Sequence, residues 1–435
     1  MDSLTYSQVV SLGDFGPWIS KLIISIPDKI VQSQSLQECF SIYCERREND
    51  GTLLLRKEHN QNEEKPSVGY VDILSAYPCD SDGVHLNEPS NFVALELPET
   101  RLTKQVEGNV MGSRYIKNCF RITQTKPLIS YSGNQITGLV FDSLSDEMVP
   151  SLTNWHNTQM SQPCKDIQLQ YGYFEPKADK KIPLILWLHG AGEGSGYAPT
   201  DEGPTRAYTG NKVTALSSPS IQNYFDGGAW VVVPQCPTFW MDDGVEKLGR
   251  SNQSIYVQPL KMLLDEFIAL HGEKIDLSRI VIGGLSNGGF MTIRMCVDYP
   301  EVFSAGIAIC APFYVENQTS EAIEALTKTP IWFVHAKNDE LVNPKQTSIP
   351  LYKKLKELNT ECHFTYFNDV HDLTGIYKEA DGSPKKIFDH GVWVHVFNDF
   401  CHTDFDSTAV IYNGEPVGIW EWSAKQRNSK GDQNE

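Results

Sequence analysis

Arg279-Ile-Val-Ile-Gly-Gly-Leu-Ser-Asn-Gly-Gly-Phe-Met-Thr-Ile-Arg-Met-Cys-Val297 reads as a strand, a sharp turn and a helix. Arg279 to Leu285 is a short apolar run, as a buried parallel strand requires. Phe290 to Val297 reads as the helix that follows. Between them Gly284-Leu285-Ser286-Asn287-Gly288 fits the pattern G-x-S-x-G. A serine on such a turn is forced outward, with its Oγ exposed. The glycines are needed because the turn leaves no room for Cβ atoms and strains the serine's backbone. The pattern alone is weak, and its strand–turn–helix setting gives it weight.

The same alternation extends along the chain after residue 165. Apolar strands are expected at Ile167–Phe174, Pro183–Leu188, Ala229–Val233, Arg279–Ile282, Ala305–Cys310, Pro330–Val334 and Cys362–Phe367. The clearest helix is Gln258 to Leu270, with Leu260, Leu263, Leu264, Phe267 and Ile268 on one face. Repeated β-α-β units with near-continuous apolar strands imply a mostly parallel sheet covered by helices on both faces. Residues from about 7 to 126 differ. They carry short alternating runs (Trp18–Ile26, Cys39–Cys44, Ser67–Leu74, Asn91–Leu97 and Tyr115–Ile122) between polar turns. Period-two patterning at this spacing predicts an antiparallel β-sandwich of immunoglobulin-like size. The expected division is a sandwich over 1–126, a catalytic domain over 127–422 and a polar, disordered tail over 423–435. The stretch from 127 to 165 is mixed and carries the crossing between the domains.

Composition limits the function. A chain of 435 residues with 40% apolar and 21% charged residues has ample core for two or three domains. No window approaches 18 uninterrupted apolar residues, so no membrane span is expected. The net charge of −18 repels phosphate backbones and argues against nucleic acid as a partner. Ten scattered cysteines form no C-x-x-C pair and no zinc spacing, so a reducing, cytoplasmic setting is expected. Met1–Tyr6 lacks a basic region followed by an apolar core, so it does not read as a secretory signal. A leader trimmed from the chain would make the protein secreted.

An exposed serine becomes a nucleophile only with a base, an orienting acid and an oxyanion hole. In α/β-hydrolases these follow in the order Ser, Asp or Glu, His. The segment Pro330-Ile-Trp-Phe-Val-His-Ala-Lys-Asn-Asp-Glu340 offers a strand and then Asp339 in its exit loop, with Asn338 and Glu340 as adjacent rivals. The base must follow the last core strand. His371 and His390 both qualify by position, and His402 is the weaker choice. One oxyanion N–H is expected from Asn287, the residue after the nucleophile. The other is expected from Ala191, with Gly190 as its neighbouring rival, in the loop His189-Gly-Ala-Gly-Glu-Gly194. His189 reads as part of that loop's framework. The loop lacks the Lys-Ser/Thr ending of a phosphate-binding loop. Phe239 and Trp240, beyond the strand at 229–233, are expected at the pocket wall, with core packing as the alternative. The insertion 193–228 is expected to shape one rim.

Residues 165 to 400 resemble the bacterial α/β-hydrolase esterases of the prolyl-oligopeptidase-like branch, often labelled predicted peptidases, that carry an N-terminal immunoglobulin-like domain. The motifs that carry the resemblance are Leu188-His-Gly-Ala-Gly-Glu193, Pro234-Gln-Cys-Pro-Thr-Phe-Trp240, Gly284-Leu-Ser-Asn-Gly288, His335-Ala-Lys-Asn-Asp339 and His390-Gly-Val-Trp393. Similar enzymes have H-G-S-W at the last position with a catalytic histidine, which selects His390 over His371. Val392 here replaces the serine, beside the base. The resemblance implies an α/β-hydrolase fold behind the sandwich. It also implies a serine esterase that cleaves small carboxylic esters through an acyl-enzyme, using Ser286, Asp339 and His390, with no metal or organic cofactor. The rival readings are a peptidase with the same triad, a carbohydrate-linked (feruloyl or acetyl) esterase, and a non-catalytic hydrolase-fold binding protein. Peptidases of this branch usually carry a β-propeller, which 126 residues cannot form, and binding proteins of this fold typically lose a triad member, whereas this chain keeps all three. The sandwich is expected to shape or shield the entrance without supplying the triad.

Overall fold

The computed structural model describes residues 4–32, 35–57, 64–105, 113–194 and 203–428. The chain divides into two compact units, Met1–Thr153 and Asn154–Glu435. In the first unit eight strands form one mixed sheet. They are β1 (Leu4–Gly13), β2 (Gly16–Ile30), β3 (Phe40–Arg47), β4 (Val68–Val71), β5 (Ser75–Cys79), β6 (Ser90–Arg101), β7 (Lys117–Gln124) and β8 (Val140–Met148). Their spatial order is β4-β3-β7-β8-β1-β2-β6-β5. Neighbours are antiparallel except β1 and β8, which run parallel with Leu4 opposite Phe141. Alternation places Phe40 and Ile42 of β3 and Phe120 and Ile122 of β7 in the core. Leu22 and Ile24 of β2 and Val93 and Leu95 of β6 enter that same core. Two halves of one sheet that share a core must fold over each other.

The first unit ends later than residue 126. Strand β8 pairs with both β7 and β1, so it belongs to this sheet. Among its nine residues Phe141 alone is buried, and a strand without an apolar face leaves no alternation to read. The tail also starts later than residue 423. A helix over Ile419–Lys425 buries Trp420, Trp422 and Ser423, and Asn428 donates to the carbonyls of Leu277 and Val302. Residues 429–435 lie outside the described ones.

The second unit is built on another eight-stranded sheet. Its strands are β9 (Trp155–Gln159), β10 (Gln170–Phe174), β11 (Ile182–Leu188), β12 (Trp230–Gln235), β13 (Ile275–Leu285), β14 (Ala305–Ile309), β15 (Ile331–Ala336) and β16 (Cys362–Phe367). The order is β9-β10-β12-β11-β13-β14-β15-β16. Strands β11 to β16 are parallel, and β9 and β10 run antiparallel at one edge. All seven residues of β11 are buried, as a strand covered on both faces must be. Helix α1 (Val257–His271) buries Leu260, Leu263, Leu264 and Phe267, and α2 (Asn287–Asp298) is buried over most of its length. The chain leaves β11 toward β12 on one side and returns to β13 on the other. A crevice opens beyond the carboxyl ends of the strands at such a reversal, where ligands bind in open α/β sheets. The exit loops of β11 and β13 therefore meet there.

Candidate active site

Ser286 stands between β13 and α2 with φ 52° and ψ −116°, a backbone that costs a non-glycine residue about 1–3 kcal/mol. The neighbours impose it. Ser286 N–H donates to Ile309 O at 2.8 Å, and Ser286 O accepts from Phe290 N at 3.0 Å. A Cβ on Gly288 would lie 2.0 Å from Leu188 O, and one on Gly284 would lie 2.6 Å from the same oxygen. Both contacts are with backbone, which cannot swing aside, so each position needs glycine.

Three loops bring Ser286, His390 and Asp339 together. His390 Nε2 lies 2.9 Å from Ser286 Oγ, and His390 Nδ1 lies 2.7 Å from Asp339 Oδ2. Asp339 follows β15, and its Oδ1 accepts from Leu341 N and Val342 N at 2.8 Å each. Burial alone would raise this carboxyl's pKa. Hydrogen bonds from His335 and His390 outweigh burial and hold it well below the usual carboxylate range. His390 sits on the single turn Asp389–Gly391, just before a short helix over Trp393–Phe397. Asp389 Oδ1 pins that turn by accepting Val370 N at 2.8 Å. The Trp393 ring meets the imidazole edge-on at 5.7 Å. His371, the positional rival, is exposed and bonded to Asp369 at 2.6 Å. His402 is exposed and binds the Asp399 carbonyl.

Asn287 is the first residue of α2, and Ala191 is the first residue of a one-turn helix over Ala191–Glu193. The first N–H groups of a helical turn have no acceptor inside it, so both are free for a developing anion. Both loops are tied to the segment Cys236–Trp240. His189 Nε2 lies 2.9 Å from Cys236 N, which can only donate. The ring proton of neutral His189 is therefore on Nδ1, facing Gly190 O at 2.6 Å. Asn287 Oδ1 accepts Trp240 N at 2.5 Å. The Trp240 side chain is fully buried in the core against Tyr256 and His189, and Phe239 is also buried. Core packing thus describes Trp240 better than an open wall does. Of the 193–228 insertion, residues 195–202 lie outside the described ones. Glu193 is half-buried, and its Oε1 accepts Asn211 Nδ2 at 2.8 Å, which fastens the loop from behind.

Burial lowers the His189 pKa from the usual 6.5 to about 4. Above pH 6.5 the ring is neutral in the folded and unfolded chain alike. As pH falls from 6.5 toward 4, the unfolded chain takes up a proton that the folded chain refuses, so stability drops. Below about 4 the loss is complete, at about 3 kcal/mol. Urea midpoints taken from about pH 7 to about pH 4.5 should fall further for the native protein than for His189→Gln. The other acid-sensitive groups, His395 and Asp339 among them, are common to both proteins and cancel in the difference. An equal decline would contradict the assignment.

Sequence reasoning missed the partners behind the triad. His335 is fully buried and lies 3.0 Å from Asp339 Oδ2. Its place four residues before the acid, at the end of an apolar strand, was the available signal. Cys310 is buried beside His390 with its Sγ 3.6 Å from the His390 carbonyl, and burial pushes its thiol pKa well up, so it stays protonated. Cys310, Asp339 and His390 are the one trio of metal-ligand-type side chains close together among the described residues. The His390 and Asp339 members of that trio already bond each other.

A model of the phospholipase/carboxylesterase family matches residues 171–375, which include Ser286 and Asp339 and stop before His390. No curated protein matches the chain in sequence. A solved structure described as a thermostable esterase is 22% identical, with a TM-score of 0.73 over 98% of this chain and 100% of its own. That likeness shows a shared fold. An acylaminoacyl peptidase from Pyrococcus horikoshii is 15% identical, with a TM-score of 0.41 over 95% of this chain and 72% of its own. A ferulic acid esterase is 15% identical, with a TM-score of 0.37 over 50% of this chain and 91% of its own. The second unit has the α/β-hydrolase fold. With the family match over the segments that hold Ser286 and Asp339, the chain is an enzyme of the serine hydrolase class.

Proposed function

We propose that the chain hydrolyses small carboxylic esters through an acyl-enzyme formed on Ser286. The observation that carries the reading is the continuous hydrogen-bonded path from Ser286 Oγ through His390 to the ionised Asp339. In this mechanism His390 Nε2 takes the serine proton as Oγ attacks the ester carbonyl. Asp339 holds the ring in the correct tautomer and stabilises its cation. The N–H groups of Asn287 and Ala191 receive the oxyanion. Collapse expels the alcohol, which takes its proton from His390. Water, activated by the same imidazole, then attacks the acyl carbonyl and releases the acid. The three side chains lie in the second unit.

We also read the first unit as an immunoglobulin-like sandwich. Its strand order supports this. β1, β2, β6 and β5 follow one another as in the four-stranded sheet of that fold, and β3, β7 and β8 as in the three-stranded one. The reading places the enzyme in a reducing compartment, which its ten free thiols support. No helix among the described residues is long and apolar enough to cross a membrane.

The test is a panel of p-nitrophenyl esters of increasing acyl length, run beside feruloyl and acetyl sugar esters and aminoacyl and peptidyl anilides. Short acyl esters should be the best substrates by kcat/KM. Preference for anilides would favour the peptidase reading, and preference for the sugar esters would favour the carbohydrate-linked one.

A further inference from the structure

Asp339 is held on both carboxylate oxygens. Two backbone N–H groups of its own loop occupy Oδ1. His390 occupies Oδ2 from one side, and the His335 ring approaches the same oxygen from the other at 3.0 Å. A carboxylate accepts about four hydrogen bonds, so this one is filled.

The His335 proton can be placed from its surroundings. Nε2 faces two acceptors, Asp339 Oδ2 and the Val342 carbonyl, both at 3.0 Å. An unprotonated nitrogen there would point a lone pair at two oxygens, so Nε2 carries the hydrogen. Nδ1 faces Ser348 Oγ at 2.9 Å, a hydroxyl that can give or take a proton. The ring, Ser348 and the Asp339 side chain are sealed from solvent, so no water can replace the bond. His335 belongs to the rigid strand β15, whereas Asp339 lies in its exit loop. Val342 closes the ring of contacts, its N–H on Asp339 and its carbonyl on His335.

We infer that His335 is a positioning residue of the triad, whose Nε2–H fixes the Asp339 carboxylate in the orientation that receives His390 Nδ1–H. The inference rests on the triad roles proposed above. Besides the carboxylate, the ionisable groups around Asp339 are His335, His390 and the Cys310 thiol. Losing the His335 donor frees Oδ2 to rotate and leaves more negative charge on it. A misaimed His390 lowers kcat, and a more negative neighbour holds the His390 proton more tightly.

The experiment compares kcat, KM and the pH profile of the full-length protein with those of His335→Phe, which has no donor, and His335→Gln, which returns an N–H near Nε2. His335→Phe should lose roughly 10- to 100-fold in kcat with KM little changed, as misorientation on this scale does. Its low-pH limb of kcat/KM should move to higher pH. His335→Gln should recover most of both. If His335→Phe keeps the native pH limb and kcat, the residue only packs the core and the inference is overturned. Where His335→Phe fails to fold, ¹⁵N resonances of the native protein decide. Nε2 of His335 must be protonated across the active pH range, and an unprotonated signal overturns the inference. Ser286→Ala is the control. Full activity in that variant would overturn the triad reading and this inference with it, whereas a dead Ser286→Ala beside an unaltered His335→Phe overturns this inference alone.

Discussion

Replacing Ser286 by alanine is expected to lower ester turnover about 10³-fold or more, because the three triad groups act as a unit and the remainder comes from the oxyanion site and binding. Folding should be nearly untouched. Serine and alanine bear the same strain at φ 52°, and the variant loses one hydroxyl that is bonded to His390. Ser286→Gly should be equally inactive yet more stable, since glycine relieves most of the strain, about 1–3 kcal/mol. A fluorophosphonate should add one label per chain, located on Ser286 by peptide mapping, and none in either variant. Unchanged turnover in Ser286→Ala would falsify the nucleophile assignment. A label on another serine would do the same.

The parts that were legible in the sequence are those where one physical demand dominates. Strands β11, β12, β14 and β15, and β13 over Ile280–Leu285, are buried on both faces, so each must be a largely apolar run, and each is visible as one. The elbow shows because Gly284 and Gly288 answer a steric demand that no other residue meets. Two of the strands that were missed lack such a demand. β8 and β9 are largely exposed and are held by ladder hydrogen bonds that any residue can make. The domain boundary moved from 126 to 153 for that reason. The partners of the site were harder still. Asn287 Oδ1 on Trp240 N and His335 on Asp339 join residues brought together by folding, and only the local pair His335–Asp339 leaves a trace in spacing.

His390→Ala is expected to cost about as much activity as Ser286→Ala, and His371→Ala almost none. Sequence position left these two histidines open, because both follow the last core strand. The physical difference lies in what each ring touches. His390 is buried, spans Ser286 Oγ and Asp339 Oδ2 through its two nitrogens, and meets the Trp393 ring. His371 is exposed and bonded to the exposed Asp369, a surface pair worth little. Loss of His390 leaves Ser286 as an ordinary alcohol and Asp339 as a buried carboxylate short of one donor. The variant should therefore be slower and somewhat less stable, while His371→Ala should match the native protein in both respects. His371→Ala should keep the native pH–rate profile unchanged. Imidazole added to His390→Ala should restore part of the rate if the cavity left by the ring admits it, with Ser286→Ala showing no such rescue. An inactive His371→Ala beside a nearly normal His390→Ala would reverse the assignment and move the base to the loop before Asp389.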